Sequence, residues 1–138
     1  MSRTEHTLEG GCLCGAVRYR IEPTELDSAY CHCRTCQLAS GSPVVASFSV
    51  PAARFSYTRG TPRSYRSSAE ARREFCGTCG TQLLFRPDHR RYADINTATL
   101  DDPAAVPPSY HIWHRSRISW FETADTLPRH DERGPDIF

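Results

Sequence analysis

The sequence lacks three features that would point to particular classes of protein: a long hydrophobic run, a charge imbalance and a pattern of long helices. No segment approaches the roughly 20 consecutive apolar residues that cross a bilayer. Residues 1–10 are polar and lack the apolar core of a secretory signal. The formal net charge is only +1, which gives no reason to expect nucleic acid or an anionic membrane as a partner. We therefore expect a cytoplasmic protein without nucleic-acid or membrane partners.

Ten prolines are spread along the 138 residues and argue against long helices. The length suits one domain with a modest core. One short helix is predicted over 34–40, ended by Gly41 as its C-cap, and a further turn over 103–105. Little order is expected over 127–138. Apolar and β-branched patterns predict short strands at 17–21, 44–50, 55–57, 64–66, 72–75, 82–86, 92–99 and 111–113. The expected class is mainly β, with short antiparallel strands.

What the sequence does contain is cysteine, seven in all. An odd number cannot pair completely within one chain, and disulfides are rare in the cytosol, so metal binding is favoured over a disulfide framework. A structural zinc takes four ligands, whereas a catalytic zinc takes three and keeps one position open. Seven thiols therefore suit one site of each kind. They fall into three groups: Cys12 and Cys14; Cys31, Cys33 and Cys36; Cys76 and Cys79.

Cys12, Cys14, Cys76 and Cys79, here called the four-cysteine cluster, are expected to form a closed zinc site. Glycines flank both pairs, so the backbone can curl enough to bring the sulfurs of each pair together. The spacing of the second pair, C-x₂-C, is a common half-site of structural zinc domains. Such a site would cross-link distant parts of the chain, so we expect its loss to unfold the domain.

Cys31, Cys33 and Cys36, here called the three-cysteine cluster, are close enough in sequence to hold one metal ion from a single segment. A strand would place the first two on one side, and the following helical turn would return the third. Three thiolates leave one coordination position free. A helix N-terminus beside them would lower the pKa of the thiols.

A fourth side chain could still close this second site. His32, His111, His114 or Asp94 could complete it, although His32 on a strand would point away from the neighbouring cysteines. The open alternative predicts two zinc ions per chain, with one position left for a substrate.

Three motifs, in this order and with these spacings, resemble the glutathione-dependent formaldehyde-activating enzyme family, which also includes centromere protein V. The resemblance covers roughly residues 8–130, the expected core of a single domain spanning 1–138. The motifs are Gly11-Cys-Leu-Cys-Gly-Ala-Val-Arg-Tyr19, Cys31-His-Cys-Arg-Thr-Cys36 with Ser40-Gly41, and Phe75-Cys-Gly-Thr-Cys-Gly-Thr81, followed by a weaker pattern in Leu100-Asp-Asp-Pro103 and His111-Ile-Trp113.

The resemblance implies a β-tent zinc fold of antiparallel sheets. It implies that the four-cysteine cluster holds a structural zinc and that Cys31, Cys33 and Cys36 hold the catalytic zinc. It also implies a carbon–sulfur lyase whose substrate is a thiol–aldehyde adduct, such as S-hydroxymethylglutathione, which yields glutathione and formaldehyde. The alternatives are a non-catalytic zinc-binding interaction module and a metal or redox sensor. An edge strand could support a homodimer.

Further side chains are weaker candidates for roles around the catalytic site. Histidines could move a proton, arginines could bind a glutathione carboxylate, and tryptophans could line a pocket, although each type is more often structural. The candidates are His32, His111 and His114; Arg66, Arg72 and Arg73; and Trp113 and Trp120.

Overall fold

The computed structural model describes residues 2–135. Short strands account for most of its regular structure, as the sequence predicts. They are β1 (Ser2–Thr4), β2 (Leu8–Gly11), β3 (Arg18–Ile21), β4 (Thr24–Cys31), β5 (Val45–Pro51), β6 (Phe55–Arg59), β7 (Arg63–Ser68), β8 (Ala71–Phe75), β9 (Gln82–Pro87), β10 (Tyr92–Asn96) and β11 (Tyr110–Ile112). Single 3-10 turns lie at Ala52–Arg54, Thr97–Thr99, Pro103–Ala105 and His114–Ser116.

The strands form two sheets. The larger has the order β1-β4-β5-β10-β9-β8-β7, with β11 added beside β4, and the smaller has the order β2-β3-β6. All pairs are antiparallel except β11 with β4. The expected class, mainly β with antiparallel sheets, is therefore confirmed, and the parallel pair is an addition that the sequence pattern did not indicate.

The hydrophobic core contains side chains of both sheets. Tyr19 and Ile21 of β3 pack in one cluster with Phe48 of β5 and Ile95 of β10, and each of these is at most 1% exposed. Burying large apolar side chains is the main favourable term in folding a domain of this size. The small sheet is therefore held against one face of the large sheet.

A buried polar contact links the two sheets at the edge of this core. The carboxylate of Glu74 in β8 accepts a hydrogen bond from the Tyr57 hydroxyl of β6 at 2.7 Å and another from Arg86 at 2.6 Å. Burial alone would raise the pKa of Glu74, but these hydrogen bonds hold it below its usual value. The contact therefore keeps the carboxylate ionised inside the protein.

Helix α1 (Arg34–Ser40) agrees with the sequence prediction at both ends. The Cys33 side chain caps it by accepting from the Cys36 N–H, and Gly41 ends it in the left-handed conformation at φ 71°. The predicted turn over 103–105 is present as well. Helix α1 begins at Arg34, shortly after β4 ends at Cys31, so the three-cysteine cluster spans the junction of strand and helix.

Three sequence predictions require correction. The strand expected to carry both Cys31 and Cys33 ends at Cys31, and Cys33 is instead the N-cap of α1. The strand predicted over 92–99 ends at Asn96, because a 3-10 turn follows at Thr97–Thr99. Little order was expected over 127–138, yet residues 127–135 lie against β11, where the His111 N–H donates to the Pro128 carbonyl at 2.8 Å. The last three residues of that stretch, 136–138, lie outside the described residues.

No helix in residues 2–135 has the length and apolar character needed to span a bilayer.

Gly60 offers a test of how the small sheet supports the cysteine loop before β3. Gly60 and Gly41 both have positive φ, at 70° and 71°, but a Cβ on Gly60 would collide with the Ala16 carbonyl, whereas a Cβ on Gly41 meets open space. We expect Gly41→Ala to cost about 1 kcal/mol, the ordinary penalty of this conformation, and Gly60→Ala to cost clearly more. Thermal unfolding midpoints measure both, and equal losses would contradict the packing described here.

Candidate metal centres and the adjoining cavity

The four-cysteine cluster forms where the loop between β2 and β3 meets the turn between β8 and β9. The Sγ atoms of Cys12 and Cys14 lie 3.7 Å apart, and those of Cys14 and Cys76 lie 3.8 Å apart. All four Sγ atoms, including that of Cys79, lie within 4.8 Å of one another. The chain curls between the first two cysteines, as the sequence predicts, so both sulfurs face the same point.

Backbone and hydroxyl donors surround these sulfurs. Cys12 Sγ accepts from the Val17 N–H at 3.2 Å, and Cys76 Sγ accepts from two amides of its own turn at 3.4 Å. Hydrogen bonds from the Thr81 side chain and backbone lower the pKa of the Cys79 thiol to about 5. Such donors stabilise sulfur in its negative, ligand-binding form.

The three-cysteine cluster spans the end of β4 and the start of α1. Cys31 and Cys36 have their Sγ atoms 3.5 Å apart, and the Cys36 N–H donates to Cys33 Sγ at 3.3 Å. The three Sγ atoms lie within 4.8 Å of one another. In residues 2–135 no histidine or carboxylate brings a ligand atom into this group, so none of the four side chains considered from the sequence completes it.

The thiols of this cluster cannot all lose their protons independently. Hydrogen bonds from Cys31 and Cys36 lower the pKa of Cys33 to about 2, against the effect of burial. Hydrogen bonding with Cys33 and Cys36, together with burial, raises the pKa of Cys31. One sulfur therefore holds the negative charge while its two neighbours keep their protons. A bound metal cation would displace those protons.

Both clusters fit zinc. Two thiolates at a Zn–S distance of about 2.3 Å lie roughly 3.7 Å apart in a tetrahedral site. The Sγ–Sγ separations of Cys12–Cys14, Cys14–Cys76 and Cys31–Cys36 are 3.7, 3.8 and 3.5 Å, and the remaining pairs of each cluster lie within 4.8 Å. The ligand type also suits zinc, because thiolates are the soft donors that it binds in structural sites. The clusters could thus hold one ion each, with four donors in one case and three in the other.

The three-cysteine cluster opens into a cavity of about 570 Å³, and all three of its cysteines line that cavity. Residues of the four-cysteine cluster do not line it. The three-cysteine cluster therefore has space beside it for a small molecule of the size that such cavities bind.

The floor of this cavity is one face of the large sheet. Alternation along β4, β5 and β10 points Phe48 and Ile95 into the core and turns the intervening side chains to the opposite face. We call that opposite face the polar floor. Its members are Asp27, Ala29, Ser47, Ser49, Asp94 and Asn96, which all line the cavity.

The histidines proposed for proton transfer do not line the cavity. His32 and His111 are buried behind the three-cysteine cluster, with His32 Nε2 2.8 Å from His111 Nδ1. His111 Nε2 lies 3.0 Å from an Asp125 oxygen, so the carboxylate accepts from it and His32 donates to His111. Burial is the main cause that lowers the pKa of His32 to about 4. This chain of side chains orients the Cys31–Cys33 loop from behind.

The three arginine candidates also differ in whether they line the cavity. Arg66 pairs with Asp88 at 2.6 Å, and Arg72 lies 3.6 Å from Glu74. Arg73 lines the cavity instead, with Nη2 3.8 Å from Cys36 Sγ and its guanidinium 5.2 Å from the centre of the Phe85 ring.

The two tryptophan candidates also differ. Trp113 lines the cavity, whereas Trp120 is 73% exposed and does not line it. Trp120 therefore lies neither in the cavity wall nor in the core.

Sequence reasoning missed most of the polar floor. Asp27, Ser47 and Ser49 were assigned no role, and Asp94 was considered only as a metal ligand. A polar residue at every second position of a strand is typical of a solvent-facing surface, so the pattern alone does not reveal a cavity.

Among the carboxyls of the polar floor, Asp94 has the pKa that is shifted furthest from its ordinary value. Burial raises its pKa to about 6, and the charge of Asp27 adds to the shift, while hydrogen bonds from Ser47 and Ser49 at 3.2 Å and the charge of Arg73 oppose it. Negative charge at this position is therefore unfavourable in the folded protein.

Comparison with known proteins adds a family to this geometry. A sequence profile described as glutathione-dependent formaldehyde-activating enzyme matches residues 7–116, a range that includes all seven cysteines. An uncharacterized lyase of Schizosaccharomyces pombe is 36% identical over 77 residues, which are 56% of each chain, so this chain spans about half the length of that curated relative. A Rhodobacter sphaeroides protein of known crystal structure has 25% identity and a TM-score of 0.57, over 72% of this chain and 91% of that one.

The raised pKa of Asp94 leads to a test of stability against pH. Because the folded pKa of about 6 exceeds the unfolded value of about 3.9, folding is increasingly penalised as pH rises through this interval, and the full penalty applies above it. We expect Asp94→Asn to stabilise the protein at about pH 8, by about 2 kcal/mol once solvent in the cavity is allowed for, and to stabilise it less at about pH 5.

Asp101→Asn is the matched control, because hydrogen bonding with Arg18 lowers the pKa of Asp101. Its removal should give no gain in stability at either pH. Thermal unfolding midpoints at the two pH values measure both variants. A destabilised Asp94→Asn protein at the higher pH would contradict the assignment.

Proposed function

Because the chain belongs to the glutathione-dependent formaldehyde-activating enzyme family, we propose that it is a zinc-dependent carbon–sulfur lyase acting on adducts of a thiol with an aldehyde. S-hydroxymethylglutathione is the expected type of substrate. The observation that carries this proposal is the position of the three-cysteine cluster in the wall of a cavity of about 570 Å³. The lyase named in Schizosaccharomyces pombe supports the reaction class.

The proposed reaction needs no reactant other than the adduct. Cleavage of an adduct RS–CH₂–OH breaks the carbon–sulfur bond and leaves the electron pair on sulfur. The hydroxyl proton is released as the carbonyl forms, so the products are RS⁻, formaldehyde and H⁺. A site for this reaction must hold sulfur as a thiolate and must give the proton a route away.

We assign the sulfur end of the substrate to the three-cysteine cluster. A zinc ion held by these three thiolates would supply a soft Lewis acid that keeps the departing thiol deprotonated at neutral pH. Arg73, 3.8 Å from Cys36 Sγ, offsets the negative charge that accumulates there. The cap at Cys33 fixes the first turn of α1 and with it the direction in which the cysteines face.

The released proton leaves on the cavity side in this proposal. His32, His111 and His114 do not line the cavity, so they orient the cysteine loop and do not contact the substrate. The cavity-facing groups able to accept a hydrogen bond from the substrate hydroxyl or from water are the carboxylates and hydroxyls of the polar floor.

The four-cysteine cluster is assigned a structural zinc. It lies where the loop of the small sheet meets the β8–β9 turn of the large sheet, and its cysteines do not line the cavity of about 570 Å³. We propose in addition that the chain works as a single domain in the cytoplasm, where thiols remain reduced.

The proposed activity is tested by exchange of formaldehyde with glutathione, followed by NMR. Zinc-loaded protein should interconvert the adduct and its components faster than the spontaneous background, and Cys33→Ser should return the rate to background. Absence of any acceleration with this pair, and with a panel of other thiols and aldehydes, would reject the lyase assignment.

The division of labour between the clusters is tested by two serine variants. Cys79→Ser removes a ligand of the cross-link between loops near residues 14 and 76, and a closure of this length contributes about 4 kcal/mol through chain entropy alone. We expect this variant to be insoluble or unfolded. Cys33→Ser should remain folded and bind one zinc ion. Zinc content and thermal unfolding measure both, and equal effects on folding would overturn the division.

A further inference from the structure

One carboxylate of the polar floor, that of Asp94, is held by neutral hydrogen-bond donors. Asp94 accepts hydrogen bonds from Ser47 Oγ and Ser49 Oγ, both at 3.2 Å, and it forms no ion pair within residues 2–135. Buried charges in proteins are ordinarily paired, because removing an ion from water is costly. A carboxylate that has no cationic partner at the floor of a cavity is suited to bind a cation carried by a ligand.

The surroundings of Asp94 reinforce this preference. Asp27 and Asp94 both pair with Ser49, one from each neighbouring strand, so the two carboxylates flank the same residue. Asp27 accepts from the Tyr110 hydroxyl, a neutral donor, at 2.7 and 2.6 Å. Arg73 acts on Asp94 through its charge, but its guanidinium is turned towards Cys36.

The position of Asp94 relative to the cysteines sets the size of the ligand. Asp27 lies in the same row as Asp94, and Cys31 follows four residues later on β4, about 13 Å along the strand, while Asp94 lies two strands away from β4, about 10 Å across the sheet. The Cα atoms of Asp94 and Cys31 are therefore about 16 Å apart. Because the side chains at both ends cover part of this distance, a ligand that joins them must separate its sulfur from its cation by roughly 10 Å, or about three extended residues. Cysteine and other short aminothiols cannot span this distance.

We propose that Asp94 is a specificity-determining residue that binds the ammonium group of a peptide-sized thiol whose sulfur lies at the three-cysteine cluster. The inference depends on the proposed function for the position of the sulfur. It adds what the cavity recognises: a free amine at a fixed distance from the thiol. The Arg73 guanidinium lies at the cysteine end of the cavity, 3.8 Å from Cys36 Sγ, and donates no hydrogen bond to Asp94 among the contacts of the described residues.

The test compares glutathione with N-acetylglutathione, which keeps the thiol and both carboxylates but lacks the ammonium group. Dissociation constants are measured by calorimetry on zinc-loaded protein. Because a hydrogen-bonded charge contributes about 1.5–3 kcal/mol, the native protein should bind glutathione roughly 10- to 100-fold more tightly. Asp94→Asn should bind both thiols equally, at the native affinity for N-acetylglutathione.

Asp101→Asn is the control, because it removes an exposed carboxylate paired with Arg18 and should keep the native preference. A native protein that binds both thiols equally would overturn the inference, as would an Asp94→Asn variant that weakens both thiols to the same extent. Preference for the free amine without lyase activity would reject the proposed reaction but support the role of Asp94. Lyase activity without the preference would support the proposed reaction but reject the role of Asp94. Absence of binding by either thiol would reject both proposals.

Discussion

Alternation of side chains along β4, β5 and β10 is the constraint on which the rest of this structure depends. One face of these strands supplies Phe48 and Ile95 to the core, and the other face supplies the floor of the cavity. Because the period of a strand is two residues, neither face can change without moving the other. The same register that buries the core therefore sets Asp94 and Cys31 at a fixed separation.

The cysteines extend this constraint in two directions. The four-cysteine cluster lies where the loop of the small sheet meets the β8–β9 turn, so a zinc ion bound there would hold the second wall of the core in place. The three-cysteine cluster begins where β4 ends, so the register of the large sheet fixes its direction. A chain with only a modest core gains more from such cross-links than a large domain does. Folding and the proposed chemistry would thus both use zinc–thiolate bonds, but the three-cysteine cluster lines the cavity and the four-cysteine cluster does not.

The sequence was sufficient for the features that depend on local chemistry. The Gly41 cap, the extent of α1 and the curl between Cys12 and Cys14 follow from residue types and spacing, and the structure agrees. The polar floor could not be predicted, because Ser47, Ser49 and Asp94 alternate with apolar residues as solvent-facing residues do. These side chains line a cavity only because distant segments of the chain pack around them in the folded protein. The same holds for His111, whose bond to Asp125 depends on the position of the chain after β11.

The central claim is that one cluster coordinates its metal completely and the other leaves a position open. X-ray absorption at the zinc edge, combined with metal analysis of the native protein, tests this most directly. Seven cysteines shared by two zinc ions predict about 3.5 sulfur ligands per zinc, with the remainder a lighter atom. A ratio near one zinc per chain with four sulfur ligands, and a three-cysteine cluster freely alkylated in the folded protein, would contradict the account.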